Sequence, residues 1–158
     1  MTTTKLILLV DDSDYDVELV LETLAKQSPP PEVVVAHDGQ EALDYLYGHG
    51  AFQGRDARPP VAVLLDLKMP KVDGLEVLRQ IKGDTRLERI PVVMLTSSSE
   101  ERDILRSYEL GVNAYVVKPV DFQEFENAIK AIGTFWVAYN EAPPQRAVEA
   151  SSHSAAVA

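Results

Sequence analysis

Five short apolar runs, at residues 6–10, 33–35, 61–65, 90–95 and 114–117, alternate with five longer segments whose apolar residues recur at steps of three and four. The runs are rich in Leu, Ile and Val and too short for helices, which fits strands buried on both faces. The stepped segments read as amphipathic helices. Strict alternation of the two predicts a parallel sheet with helices packed on both faces. In such a sheet the C-terminal strand ends open onto one crevice, and ligands bind there. The side chains that close the runs are therefore where chemistry is expected.

Those ends carry Asp11 and Asp12, then Asp66, Thr96 and Lys118. Three acids, a hydroxyl and an ammonium suit a divalent cation and a phosphoryl group. Asp66 is the most informative. It follows Leu64-Leu65, and a carboxylate ending a buried strand is costly without a compensating partner. Singly, the others have plainer readings. Asp11 and Asp12 could cap the first helix, Thr96 the fourth, and Lys118 before Pro119 could be a loop residue.

The helix signals are local. Asp12 and Ser13 supply capping chemistry for the first helix, and Asp38-Gly39 opens the second. Pro70 and Gly74 bracket a tight connection to the third. Ser97-Ser98-Ser99-Glu100-Glu101 places hydroxyls and acids at the start of the fourth, whose apolar side is marked by Ile104, Leu105 and Tyr108 and which Gly111 closes. Phe122, Phe125, Ile129, Ile132 and Trp136 predict one stripe along the fifth. Residues 48–60, rich in Gly, Pro and charge, read as a long loop. Residues 1–140 are expected to form one domain and 141–158 a disordered tail.

A net charge of −10, with no basic run, disfavours nucleic acid. The absence of cysteine excludes disulfides, thiol catalysis and Cys-based zinc sites. The first apolar run is too short for a signal segment or a membrane span. A cytoplasmic protein with no membrane partner is expected.

Four motifs occur in order, each at a strand end: Val10-Asp11-Asp12-Ser13; Leu65-Asp66-Leu67-Lys68-Met69-Pro70 with Asp73-Gly74; Leu95-Thr96-Ser97; and Tyr115-Val116-Val117-Lys118-Pro119. With them, residues 5–139 resemble the receiver domain of a two-component response regulator. The resemblance implies a flavodoxin-like three-layer αβα fold, with five parallel strands in the order 2-1-3-4-5 and five helices. It implies that Asp66 accepts a phosphoryl group from a partner histidine kinase. Mg²⁺ would be held by Asp12, Asp66 and the Lys68 carbonyl, with Asp11 acting through water. Lys118 and Thr96 would contact the phosphoryl group. Thr96 and Tyr115 would form the switch that repositions the face of helix four, strand five and helix five. Such a protein catalyses only its own phosphorylation and slow dephosphorylation.

Two other functions compete. A Mg²⁺-dependent phosphohydrolase would need a second acid beside the nucleophile, and the residue two after Asp66 is Lys68. A pure interaction module would have no use for the acid set. Lys68 itself stands where Asn is more usual, and its ammonium is expected to screen an acyl phosphate from water. The 48–60 loop and the Phe135-Trp136 pair resemble the receivers that accompany bacterial phytochrome kinases. Output is then expected through partner binding, dimerisation or onward phosphotransfer. A homodimer is expected through helix four, strand five and helix five, with Phe135, Trp136 and Tyr139 contributing aromatic surface.

Overall fold

A computed structural model describes residues 4–55 and 58–144. The strands are β1 (Leu6–Val10), β2 (Glu32–Ala36), β3 (Ala62–Leu65), β4 (Val92–Thr96) and β5 (Ala114–Val117). The helices are α1 (Asp14–Ala25), α2 (Gly39–Tyr47), α3 (Gly74–Gly83), α4 (Glu101–Glu109) and α5 (Phe122–Gly133). All strand pairs are parallel, in the order 2-1-3-4-5, so the fold is the expected flavodoxin-like one.

Alternation along the strands divides the core in two. Leu6, Leu8, Val10, Val63, Leu65, Val92 and Met94 face α2 and α3. Ile7, Leu9, Leu64, Val93 and Leu95 face α1 and α5. Each fully buried side chain of this size contributes about 1.5–3 kcal/mol, and three central strands are buried along their whole length. That burial fixes the register, because a slip of one residue would exchange the two faces. It therefore also fixes which residue stands at each strand end.

Two helices depart from the sequence expectation. In α4 only Ser107 is fully buried, while Leu105 and Tyr108 are exposed. The fifth helical stripe is not continuous. After α5 the backbone opens into a π-helical turn, Thr134–Tyr139, and the buried apolar side chains step by five, from Ile132 to Val137. Trp136 is left half-buried against the α1–α5 core, and Phe135 and Tyr139 are exposed. Phe122 is exposed as well, at the other end of α5. Carbonyls in the last turn of a helix have no partner within it and can accept from outside. Lys5 Nζ donates to the Val137 carbonyl at 2.5 Å.

The loop after α2 is anchored rather than open. Gly50–Phe52 forms a 3₁₀ turn. Arg55 lies 4.1 Å over the Tyr45 ring and donates to the carbonyls of Tyr45 and Leu46, capping the last turn of α2. Of the expected tail, residues 145–158 lie outside the described residues.

Candidate functional site

At the C-terminal edge of the sheet, the hydrogen-bond ladder runs one residue past β1, β3 and β5 and ends there on a functional side chain. Asp11 N–H donates to the Ala36 carbonyl at 3.1 Å, Asp66 N–H to Val10 at 2.9 Å and Lys118 N–H to Thr96 at 2.7 Å. The backbone at these positions is thus as well fixed as the strands themselves. Beyond it the acids are turned by local bonds. Asp11 Oδ1 accepts the Ser13 N–H at 2.9 Å, which aims the carboxylate back over the sheet. Ser13, not either aspartate, caps α1 by accepting from Asp16 N–H at 3.3 Å.

Asp66 Oδ1 accepts the Leu67 N–H at 2.8 Å. The following loop is pinned on two sides by glycines. A Cβ on Gly74 would lie 2.2 Å from the Asp66 carbonyl oxygen, and one on Gly39 would lie 1.9 Å from that of Val72. Neither approach tolerates a side chain. Lys71 takes a left-handed φ of 67° on this loop, and its ammonium sits 3.3 Å from Asp38 Oδ2. Lys68, on the same loop, is exposed.

Asp11, Asp12 and Asp66 each offer a carboxylate oxygen, all within 4.8 Å of one another. Asp11 and Asp66 are buried and Asp12 is exposed. Lys118 reaches into the cluster with its side chain only 8% exposed. Its ammonium donates to Asp11 Oδ2 and Asp16 Oδ2, both at 2.8 Å, and stands 3.6 Å from Asp66 Oδ2. Burial alone would lower the pKa of Lys118, but its bonds to Asp11 and Asp16 outweigh that and leave it raised. Burial pushes the Asp11 carboxyl up, by more than its bonds from Lys118 and Ser13 bring it down. One ammonium therefore does not compensate the acids. Hard oxygen donors, one of them open to water, are the donor set a small divalent cation takes.

Thr96 is buried at the end of β4, and its Oγ1 accepts from Ser98 N–H at 3.4 Å. It does not cap α4. That helix begins after Glu100, which makes no side-chain cap, and Ser98 instead donates to Asp103 Oδ2 at 2.6 Å. Tyr115, half-buried on β5, donates from its phenol to the Ser98 carbonyl at 2.9 Å. The turn after β4 is thus tied both to Thr96 and to Tyr115.

Five of the expected residues, Asp11, Asp12, Asp66, Thr96 and Lys118, end or directly follow neighbouring strands at this edge. Tyr115 connects to it through the β4–α4 turn, and Lys68 borders it. Phe135, Trp136 and Tyr139 are at the far end of α5. The sequence reading did not find Asp16. It stands in the first turn of α1, where an acid is explained by the helix dipole alone.

A family model of the response regulator receiver domain matches residues 7–130. Response regulator Rcp1 of Synechocystis sp. is 41% identical over 84% of this chain and 89% of its own. The Mn²⁺-bound form of Rcp1 superposes with a TM-score of 0.84 over 89% of this chain and 99% of that one, at 39% identity. The phosphorylated cyanobacterial phytochrome response regulator RcpA gives a TM-score of 0.85 at 42% identity, over 90% of this chain and all of that one. The bacteriophytochrome response regulator AtBRR is 57% identical, with a TM-score of 0.71 over 89% of this chain and 100% of its own.

Proposed function

This chain belongs to the response regulator receiver family, and on that footing we propose that Asp66 accepts a phosphoryl group from a partner histidine kinase, with Mg²⁺, and so switches the α4–β5–α5 face. The observation that carries this is the trio of carboxylates within 4.8 Å, closed by the nearly buried Lys118.

An Asp66 oxygen attacks the phosphorus of the donor's phosphohistidine. The O–P bond forms as the P–N bond breaks, and the freed imidazole takes a proton from water. The obstacle is charge. Two unit charges 4 Å apart repel by about 1 kcal/mol in water and about 4 kcal/mol at an effective dielectric of 20. Held by Asp12, Asp66 and the Lys68 carbonyl, with Asp11 acting through water, Mg²⁺ would supply the neutralising charge. Lys118 supplies the second cation, donating to a phosphoryl oxygen as charge moves onto it. Thr96 offers its hydroxyl to another. Drawing Thr96 inward breaks its bond to Ser98, and Tyr115, bonded to the same residue, follows. The β4–α4 turn then moves with α4, in which only Ser107 is buried. The shift is bounded by the difference in phosphoryl contacts between the two states.

The donor has an apolar rim to dock on. Tyr15, Val120 and Phe122 are exposed around a cavity of about 220 Å³ whose lining includes Lys118 and Asp16. The relatives described as phytochrome response regulators point to a kinase of that class. No helix among the described residues is long and apolar enough to cross a membrane, which fits a cytoplasmic site of action. The acidic chain is assigned no nucleic acid partner. Phosphotransfer to and from itself is the only catalysis assigned.

Incubation with acetyl phosphate and Mg²⁺ tests the reading. Mass spectrometry should find one phosphoryl group, on the peptide carrying Asp66. No adduct would favour a pure interaction module, and rapid multiple turnover of small phosphate esters would favour a phosphohydrolase. Exposed Lys68 screens the acyl phosphate in this scheme, so Lys68→Asn should shorten the adduct's lifetime severalfold. An equal lifetime would remove that role.

Dimerisation is assigned to the α4–β5–α5 face, where Leu105, Tyr108 and Val117 are exposed, with Phe135 and Tyr139 adding surface at the end of α5. Trp136 contributes less, being half-buried on the molecule's own core. Sedimentation equilibrium should show a smaller dimer fraction for Phe135→Ser with Tyr139→Ser. An unchanged fraction would exclude the α5 end from the interface.

A further inference from the structure

The Lys118 ammonium has three protons to donate. Asp11 and Asp16 each take one at 2.8 Å, and Asp66 stands off at 3.6 Å. Asp11 and Asp66 belong to the acceptor site. Asp16 does not: it comes from α1, and its side chain is 21% exposed beside the cavity that Tyr15 and Phe122 border. It adds a negative charge where a phosphoryl group must arrive, and it holds the one protein cation meant for that group.

We propose that Asp16 is a positioning residue, a latch that draws Lys118 toward α1 and away from Asp66, so that an arriving phosphoryl group must win the ammonium from it. The proposal rests on Asp66 being the acceptor. Asp16 then sets how readily the site enters its phosphorylated state, without touching the reacting atoms. Apparent affinity for the phosphoryl group is lowered by the fraction of molecules in which the ammonium is latched. The charge matters more than the shape, since an amide of the same outline accepts a hydrogen bond only about half as strong as a carboxylate does.

Calorimetric titration of the full chain with beryllofluoride in saturating Mg²⁺ reads this directly. Asp16→Asn should bind roughly tenfold more tightly than the parent, the scale of one charge-assisted bond weakened to a neutral one. Asp16→Glu, which keeps the anion within reach, should restore affinity close to the parent's. A merely structural role would weaken both variants or leave both unchanged, and either result overturns the latch. So does weaker binding by Asp16→Asn alone, which would mean that Asp16 holds Lys118 in its productive place. A parent that binds no beryllofluoride would overturn the acceptor reading, and the latch with it.

Discussion

Asp66→Asn should take up no phosphoryl group from acetyl phosphate and Mg²⁺, and it should unfold at a higher temperature than the parent. The first half follows from chemistry: a neutral amide is too weak a nucleophile to displace a leaving group from phosphorus. The second follows from the arrangement of charge. Asp66 shares a space of 4.8 Å with Asp11 and Asp12, and the one ammonium nearby is bonded to other acids. An amide removes one repelling charge and can still accept the Leu67 N–H that Asp66 Oδ1 accepts now. A gain of about 1 kcal/mol is expected, because Lys118 at 3.6 Å offsets part of the repulsion. For a chain of this size that raises the melting temperature by about 2–4 °C. Intact-mass measurement and scanning calorimetry in metal-free buffer give both values. An adduct persisting on another acid would remove Asp66 as the acceptor. Lower stability would mean that the acids are not in conflict in the resting protein. The pairing of lost function with gained stability is what a site built for reaction rather than for rest should give.

How much of this was legible in the sequence depended on how local each signal is. The strands could be read because three of them are buried on both faces, which leaves an uninterrupted apolar run. Glu32 and Ala36 were missed at the ends of β2, an edge strand whose burial is partial. The strand ends carried the acids and Lys118, so parallel topology was enough to gather them. Asp16 was not legible. Asp14 and Asp16 both follow a cap in the first turn of α1, and only the direction in which that helix leaves the sheet turns one of them onto Lys118. The packing of α4 was not legible either. Its Leu105 and Tyr108 follow the helical period, yet they face solvent on the side assigned to output. The five-residue step between the buried side chains of Ile132 and Val137 breaks the rule by which a stripe is recognised, so the α5 stripe was continued to Trp136, at a place that Val137 holds. Gly39 looked like a helix start and Gly74 like the end of a tight connection. Their need for a bare Cα comes from the Val72 and Asp66 carbonyls lying against them.

Lys118→Met should lower both stability and phosphotransfer, and Mg²⁺ should restore part of the first and none of the second. Methionine fills a similar volume without charge, so the change isolates the ammonium. Removing one partner of a buried ion pair costs about 3–5 kcal/mol. Here the cost is expected nearer 2–3 kcal/mol, because Asp16 is partly solvated and Asp11 can take up a proton. In metal-free buffer near neutral pH, that is a fall in melting temperature of about 5–10 °C. Mg²⁺ at ten times its dissociation constant returns about 1.4 kcal/mol, as a ligand of the folded state alone. The pH dependence has a definite sign. Burial holds the Asp11 carboxyl above its ordinary 3.8 in the folded chain, and loss of Lys118 raises it further. A carboxyl raised on folding adds stability that is complete below its unfolded pKa and fades as pH rises through the folded value. The variant's deficit should therefore shrink as the pH is lowered from neutral and a proton begins to replace the missing ammonium. Rescue by Mg²⁺ should weaken over the same range, since a proton on Asp11 removes one of the negative charges that draw the metal to the cluster. Phosphotransfer should stay down by about a hundredfold even in saturating Mg²⁺, the scale of one charge-stabilising donor lost from a transition state. A variant as stable as the parent in metal-free buffer, with no pH-dependent deficit, would mean that Lys118 does not neutralise the acids. The electrostatic account of the site would then fail at its centre.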